Sequence, residues 1–354
     1  MKTNRKFTLL ALAAALWMTG CAAGSGGTAP EETAEKEQPA AEAPAEQTPA
    51  ANEETELQDV QVVLDWTPNT NHTGLYAAKA LGYYEEEGLN VEIILPGDAG
   101  ADAVVASGEV EFGVSYQEAV TLARTQQFPL VSIAAVIQHN TSGFAAPASL
   151  GIKTPKDFEG KTYGGWGSPV EGAMIESLMN EVGADFSKVT MMSIGDNDFF
   201  TAKDNGIDFQ WIYYAWTGVE SELRNEPIDI VWLTDYSDKL DYYTPVLVTN
   251  EERIKNEPEL VEKFLRATSK GYQYAVEQPE EAAGLLSEAV PELDKELVLA
   301  SQKWLSPRYV DDAPRWGEQK QEVWANYAAW MTEHGLLEGE FDPAAAFTNE
   351  FLPE

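Results

Sequence analysis

Short apolar runs alternate with helix-compatible stretches along the chain from residue 60, and this alternation limits the available folds more than any other feature. Residues 60–64, 90–95 and 112–115 read as strands, with helices over 74–86 and 101–107 between them. Strands joined through helices cannot pair as tight hairpins, so the pattern predicts a parallel sheet with crossover helices. A second α/β unit runs from 151 to about 243, with strands at 162–165, 190–193, 209–213 and 228–233. The chain returns through Pro245-Val246-Leu247-Val248-Thr249-Asn250 into a helical tail at 258–276, 279–288, 293–305 and 316–334. Each tail helix has a proline or capping residue near its start, and Gly335 ends the last. The expectation is two lobes, 59–146 plus 246–354 and 147–245, joined by a two-segment hinge. Two crossings restrict motion to opening and closing, and a cleft between domains is a preferred place for a small ligand.

Residues 1–20 have the layout of a secretory signal, with Lys2, Arg5 and Lys6 ahead of an apolar run over 7–17. That run is too short to persist as a membrane-spanning helix. Met18-Thr19-Gly20-Cys21 resembles a lipobox, which implies diacylation of Cys21 and a lipid-anchored, extracytoplasmic protein. The chain has no other cysteine, so disulfides, thiolate metal sites and a cysteine nucleophile are excluded. Residues 21–58 are dominated by Ala, Glu, Pro, Thr, Gln and Gly without an aromatic residue, and read as a disordered acidic tether. Acidic residues number 59 against 23 basic ones, a formal charge of −36, which argues against nucleic acid and against adsorption to anionic lipid.

Ligands of open α/β sheets gather beyond the carboxyl ends of strands, which singles out a few turns. The first is Asp65-Trp66-Thr67-Pro68-Asn69-Thr70-Asn71-His72. There an indole lies beside carboxylate, amide and imidazole groups, the set a planar nitrogen heterocycle requires: a stacking face with in-plane donors and acceptors. The bland alternative is that Trp66 plugs the domain edge while Asp65 and Asn69 cap the turn. Tyr163-Gly164-Gly165-Trp166-Gly167-Ser168-Pro169-Val170-Glu171 joins a strand to a helix, and Gly165, Trp166, Ser168 and Glu171 are its candidates. Glycines admit close approach of a ligand and the helix start offers free N–H groups, although Glu171 can equally complement the helix dipole. Five aromatic residues fall within 209–216, of which Trp216, followed by Glu220, is the favoured cleft-facing one and Trp211 the more doubtful. Tyr116 and Glu118 follow the 112–115 strand, and Asp241 and Tyr242 lie near the hinge. Trp316, Trp324, Tyr327 and Trp330 recur close to helical spacing and read as core.

The turn at 64–72, the loop at 163–171, Trp216-Thr217-Gly218-Val219-Glu220, Asp241-Tyr242-Tyr243-Thr244-Pro245 and the closing Ala346-Phe347-Thr348-Asn349-Glu350-Phe351-Leu352-Pro353 together resemble ABC-transporter solute-binding proteins of the pyrimidine-precursor (NMT1/THI5-like) family, with similarity to its formylaminopyrimidine-binding branch. The resemblance implies a type II periplasmic-binding-protein fold and capture of a thiamine pyrimidine precursor. Its implied partners are a permease with a cytoplasmic ATPase, and it implies a monomer without cofactor or metal. The family also contains a fungal synthase of hydroxymethylpyrimidine phosphate. By spacing, that enzyme's cofactor lysine falls on Ser115 and its consumed histidine on Ala119, so no Schiff base is available and the expectation is a binder without turnover.

Overall fold

Val60, Val62, Val63 and Leu64 are buried, and the strand they build lies inside a five-stranded sheet. The computed structural model describes residues 57–354 apart from Asp196, so the expected signal segment, Cys21 and the tether through residue 56 lie outside the described residues. β1 (Gln58–Val63) begins on the last position assigned to the tether. It pairs in parallel with β2 (Leu89–Ile94) and with β3 (Phe112–Ser115). β4 (Leu130–Ala135) is buried at every position and closes the far edge of this sheet. Between β1 and β2 the expected single helix is two, Thr73–Ala80 and Tyr83–Glu86, because Gly82 takes a positive φ of 77° between them.

β5 (Ser142–Pro147) belongs to a different sheet. It lies between β8 (Gln210–Tyr213) and β9 (Ile228–Trp232), antiparallel to both. β6 (Thr162–Gly165) and β7 (Thr190–Ser193) pair in parallel, and a bridge from Tyr163 to Phe209 carries them alongside β8. The chain thus changes sheet between Ala135 and Ser142, ahead of the expected crossing at 146/147. The sequence of β5, Ser-Gly-Phe-Ala-Ala-Pro, has little strand propensity, and only burial between two partners makes it a strand. β10 (Val246–Asn250) returns to the first sheet, antiparallel to β3 and β4, which gives the order β2-β1-β3-β10-β4. The expected parallel sheet is therefore mixed, since a strand arriving from the other lobe can enter from either end.

The tail packs where its aromatic residues find partners. Phe264, on the Pro258–Glu277 helix, stacks on Phe112 of β3 with centroids 3.9 Å apart. The last long helix is Gln321–Glu333, shorter than the expected 316–334 because Gly317, at φ 87°, accepts the Ala135 N–H through its carbonyl. This helix serves both sheets. Trp324 packs with Val120, Leu130 and Val246, whereas Tyr327, Trp330 and Met331 pack with Met174, Leu178 and Tyr242. Assigning all of 246–354 to the first lobe therefore needs correction at this helix.

Gly271 of the Pro258–Glu277 helix lies against Gly74 of the first helix. A Cβ at 271 would overlap the Gly74 carbonyl oxygen and lie 2.9 Å from the Ala78 Cβ. Overpacking of this kind costs about 1–3 kcal/mol, so Gly271→Ala is expected to lower the thermal midpoint by several degrees. An unchanged melting curve would show that the two helices part without cost.

Candidate functional site

Asp65 follows β1 at its carboxyl end, and the turn after it is organised by imidazole. The backbone N–H of Asn69 donates to His72 Nδ1 at 3.1 Å. With Nδ1 accepting, Nε2 carries the hydrogen and donates to Asp65 Oδ1 at 2.7 Å. Asn69 completes the turn by accepting from the Asn71 N–H at 2.8 Å through its side chain. Burial pushes the Asp65 carboxyl up, but the His72 imidazole and the Tyr116 hydroxyl outweigh it and hold the group below its usual value. Asp65 is thus a carboxylate kept ionised in a buried place.

Across from it, a second carboxylate shapes the loop after β6. Glu171 is buried and accepts four hydrogen bonds, from the Tyr163 hydroxyl at 2.6 Å and from the N–H groups of Trp166, Gly167 and Ser168 at 3.1, 2.7 and 2.8 Å. Ser168 caps the Pro169–Glu181 helix in a reciprocal box with it. Gly165 is required here, because a Cβ would overlap the Glu171 carboxylate. The loop throws Trp166 outward, 46% exposed and tilted against Trp211 at 5.5 Å.

These two turns face one cavity of about 290 Å³. Asp65, Trp66, Asn69, Asn71, Tyr116, Gly165, Trp166, Trp216 and Glu220 all line it. Trp216 stands on a single π turn, Tyr214–Gly218, whose Ala215 carbonyl accepts from the Ser301 hydroxyl of the tail. Glu220 is engaged by Arg224 Nε at 2.7 Å. Also in the wall are Asn197, Asp198, Phe199, Phe200, Gln210, Trp211, Tyr213 and Thr244, none of them among the favoured residues. The rule about strand carboxyl ends, applied to β7, points to the 195–200 segment; the irregular chain after Ser193 concealed it. Asp198 caps the Phe199–Asp204 helix through the Phe200 and Thr201 N–H groups, each at 3.0 Å. No lysine, arginine or histidine stands among the described lining residues.

Six expected site residues are absent from the wall. His72 is fully buried behind Asp65, and Ser168 and Glu171 are consumed by the loop they build. Asp241 turns to the crossing segments instead, accepting from the Asn140 N–H at 2.8 Å and pairing with His139 Nδ1 at 2.6 Å. That hydrogen bond is the main reason the His139 imidazole is raised to about 9. Tyr242 is stacked on Tyr327 at 4.0 Å inside the core. Glu118 meets the Tyr327 hydroxyl at 3.3 Å outside the cavity.

Burial pushes the Glu118 carboxyl up to about 7, with the Tyr327 hydroxyl opposing and the charge of Glu171 adding. A carboxyl raised in the folded state binds its proton more tightly there than in the unfolded chain, so stability is lost as pH rises from about the ordinary glutamate value through about 7. Glu118→Gln is expected to raise the melting temperature at pH above that value and to flatten the profile below it. Equal destabilisation at both ends of the range would mean that the carboxylate is needed for packing.

A family profile described as NMT1/THI5 like matches residues 69–282. The formylaminopyrimidine-binding protein of Halalkalibacterium halodurans is 30% identical over 313 residues, covering 84% of this chain and 92% of that one. A 4-amino-5-hydroxymethyl-2-methylpyrimidine phosphate synthase of Legionella pneumophila is 28% identical over 304 residues, covering 83% and 92%. Among solved structures, the periplasmic aliphatic sulphonate binding protein of Escherichia coli superimposes with a TM-score of 0.66 at 13% identity, over 84% of this chain and 94% of that one. That likeness concerns the fold, a two-lobed periplasmic-binding-protein architecture with a helical tail. With the profile spanning 69–282 and a relative at 30% identity along most of its length, the chain belongs to the NMT1/THI5-like family.

Proposed function

We propose that this protein is the extracytoplasmic binding component of an ABC importer and carries a thiamine pyrimidine precursor, N-formyl-4-amino-5-aminomethyl-2-methylpyrimidine or a related hydroxymethylpyrimidine. The observation that carries the reading is the cavity wall: indole, phenol and phenyl rings surround three carboxylates, Asp65, Asp198 and Glu220, without a basic side chain among the described lining residues. Flat rings offer stacking faces and carboxylates accept from an exocyclic amine. An anionic sulphonate or nitrate would meet like charge instead.

In this reading Trp66 and Trp166 stack on the pyrimidine, Trp216 closes one side, and Asp65 or Glu220 accepts from the amine. Asn69 and Asn71 meet ring nitrogens or the formamide, and Tyr116 and Gly165 bound the pocket. The two lobes close about the crossing segments, and the closed monomer docks on a permease with its ATPase while lipid on Cys21 holds it at the membrane. The protein binds its ligand without turnover. Ser115 stands where the synthase resemblance puts a lysine, and no lysine lines the cavity among the described residues.

Calorimetric titration of the purified protein with the formylated pyrimidine, hydroxymethylpyrimidine, thiamine and riboflavin tests this. One-to-one binding, tightest for the formylated compound, is expected; binding of riboflavin alone would reassign the cargo. Removing a base-aromatic stack costs about 1–3 kcal/mol, so Trp66→Ala should weaken binding roughly tenfold to a hundredfold or more. Unchanged affinity in a folded variant would take Trp66 out of the site.

A further inference from the structure

We propose that the cavity holds its heterocycle as a cation, with a proton taken up on a ring nitrogen against the ionised carboxylate of Asp65. The inference rests on the aminopyrimidine reading and specifies the protonation state of the bound ligand. The ring nitrogen lone pair forms the new N–H bond, the proton comes from the buffer, and no other bond changes.

Three observations carry it. Asp65 lines the cavity with its side chain 6% exposed, and its Oδ1 partner, His72, donates through Nε2 while Nδ1 is occupied by the Asn69 N–H. The carboxylate thus gains a hydrogen bond there, and no lysine or arginine stands with it among the described lining residues. The groups that face Asp65 are the Tyr116 hydroxyl, the Tyr213 and Tyr272 phenols and the Asp102 carboxyl. Burial, with the charge of Asp65 adding to it, raises the Asp102 carboxyl. The second observation is that the other cavity carboxylates are already provided for, Asp198 by backbone donors and Glu220 by Arg224. The third is that the rings of Trp66 and Trp166 are 45% and 46% exposed, leaving bare indole faces of the kind that attract cations.

A neutral ligand would cover Asp65 and leave a buried carboxylate balanced only by His72 and Tyr116, a costly arrangement. Protonation beside the exocyclic amine creates two parallel N–H donors, which a carboxylate meets in a bidentate, charge-assisted pair. The ring nitrogen would therefore titrate higher in the complex than in free solution. The gain in affinity is complete below the free ligand's value and is lost as pH rises through the bound one.

The test is titration calorimetry of the whole protein with the formylated aminopyrimidine from about pH 6 to about pH 8, in buffers of differing ionisation enthalpy. Uptake approaching one proton per ligand is expected, with affinity falling by up to about tenfold per pH unit. Glu118→Gln serves as the background, because that group titrates at about 7 outside the cavity. In the same background Asp65→Asn, which keeps an acceptor for His72, should abolish the uptake and flatten the profile; if it fails to fold, the Glu118→Gln protein alone decides. Tight binding with no proton uptake and a flat profile overturns the inference and leaves the pyrimidine reading intact. Absence of pyrimidine binding removes both.

Discussion

Burying a carboxylate is tolerable only when its oxygens are supplied with hydrogen bonds, and the two turns that form the cavity are both built around that requirement. Asp65 is met by His72 and Tyr116, and Glu171 by a tyrosine hydroxyl and three consecutive N–H groups. Each solution fixes a backbone path, and each path exposes an indole beside the carboxylate. Trp66 and Trp166 stand bare because the chain around them is held by acids that are satisfied elsewhere. The difference between the acids lies in what remains. Glu171 is saturated and structural, whereas Asp65 keeps a face toward the cavity.

The tail couples the lobes at two places. Ser301 of the Lys295–Leu305 helix donates to the Ala215 carbonyl and lies 2.6 Å from the Thr70 hydroxyl, tying the π turn that bears Trp216 to the turn that bears Asn69. The Gln321–Glu333 helix divides its aromatic residues between the two cores. His139 and Asp241 join the two crossing segments directly. Any motion of one lobe against the other therefore repacks tail side chains as well as bending the crossings.

Much of the cavity wall was legible because it follows from local rules. A polar, aromatic turn at the end of an apolar strand identified Asp65, Trp66, Asn69 and Asn71, and glycines before a capped helix identified Gly165 and Trp166. The rules failed where a polar side chain had two plausible employments. His72, Glu171, Asp241 and Tyr242 have the chemistry of ligand contacts, but each is spent within the protein on the hydrogen bonds and stacking contacts described above. Asn197 to Phe200 were missed because the irregular chain after Ser193 hid the end of β7, and Gln210 because the aromatic residues around it drew the attention of a residue-type rule.

By itself the sequence determined the α/β class, the positions of most strands, the helical tail and the aromatic, cation-poor character of the site, since these depend on periodicity, propensity and residue type within short windows. Only the tertiary structure decided that β5 leaves the first sheet, that β10 runs antiparallel within it, that the Gln321–Glu333 helix serves both cores, and that Asp65 faces the cavity while Glu171 does not. Those outcomes turn on contacts between residues far apart in the chain. Strand direction and carboxylate partners are chosen by what the remote segment offers, and no local pattern encodes that.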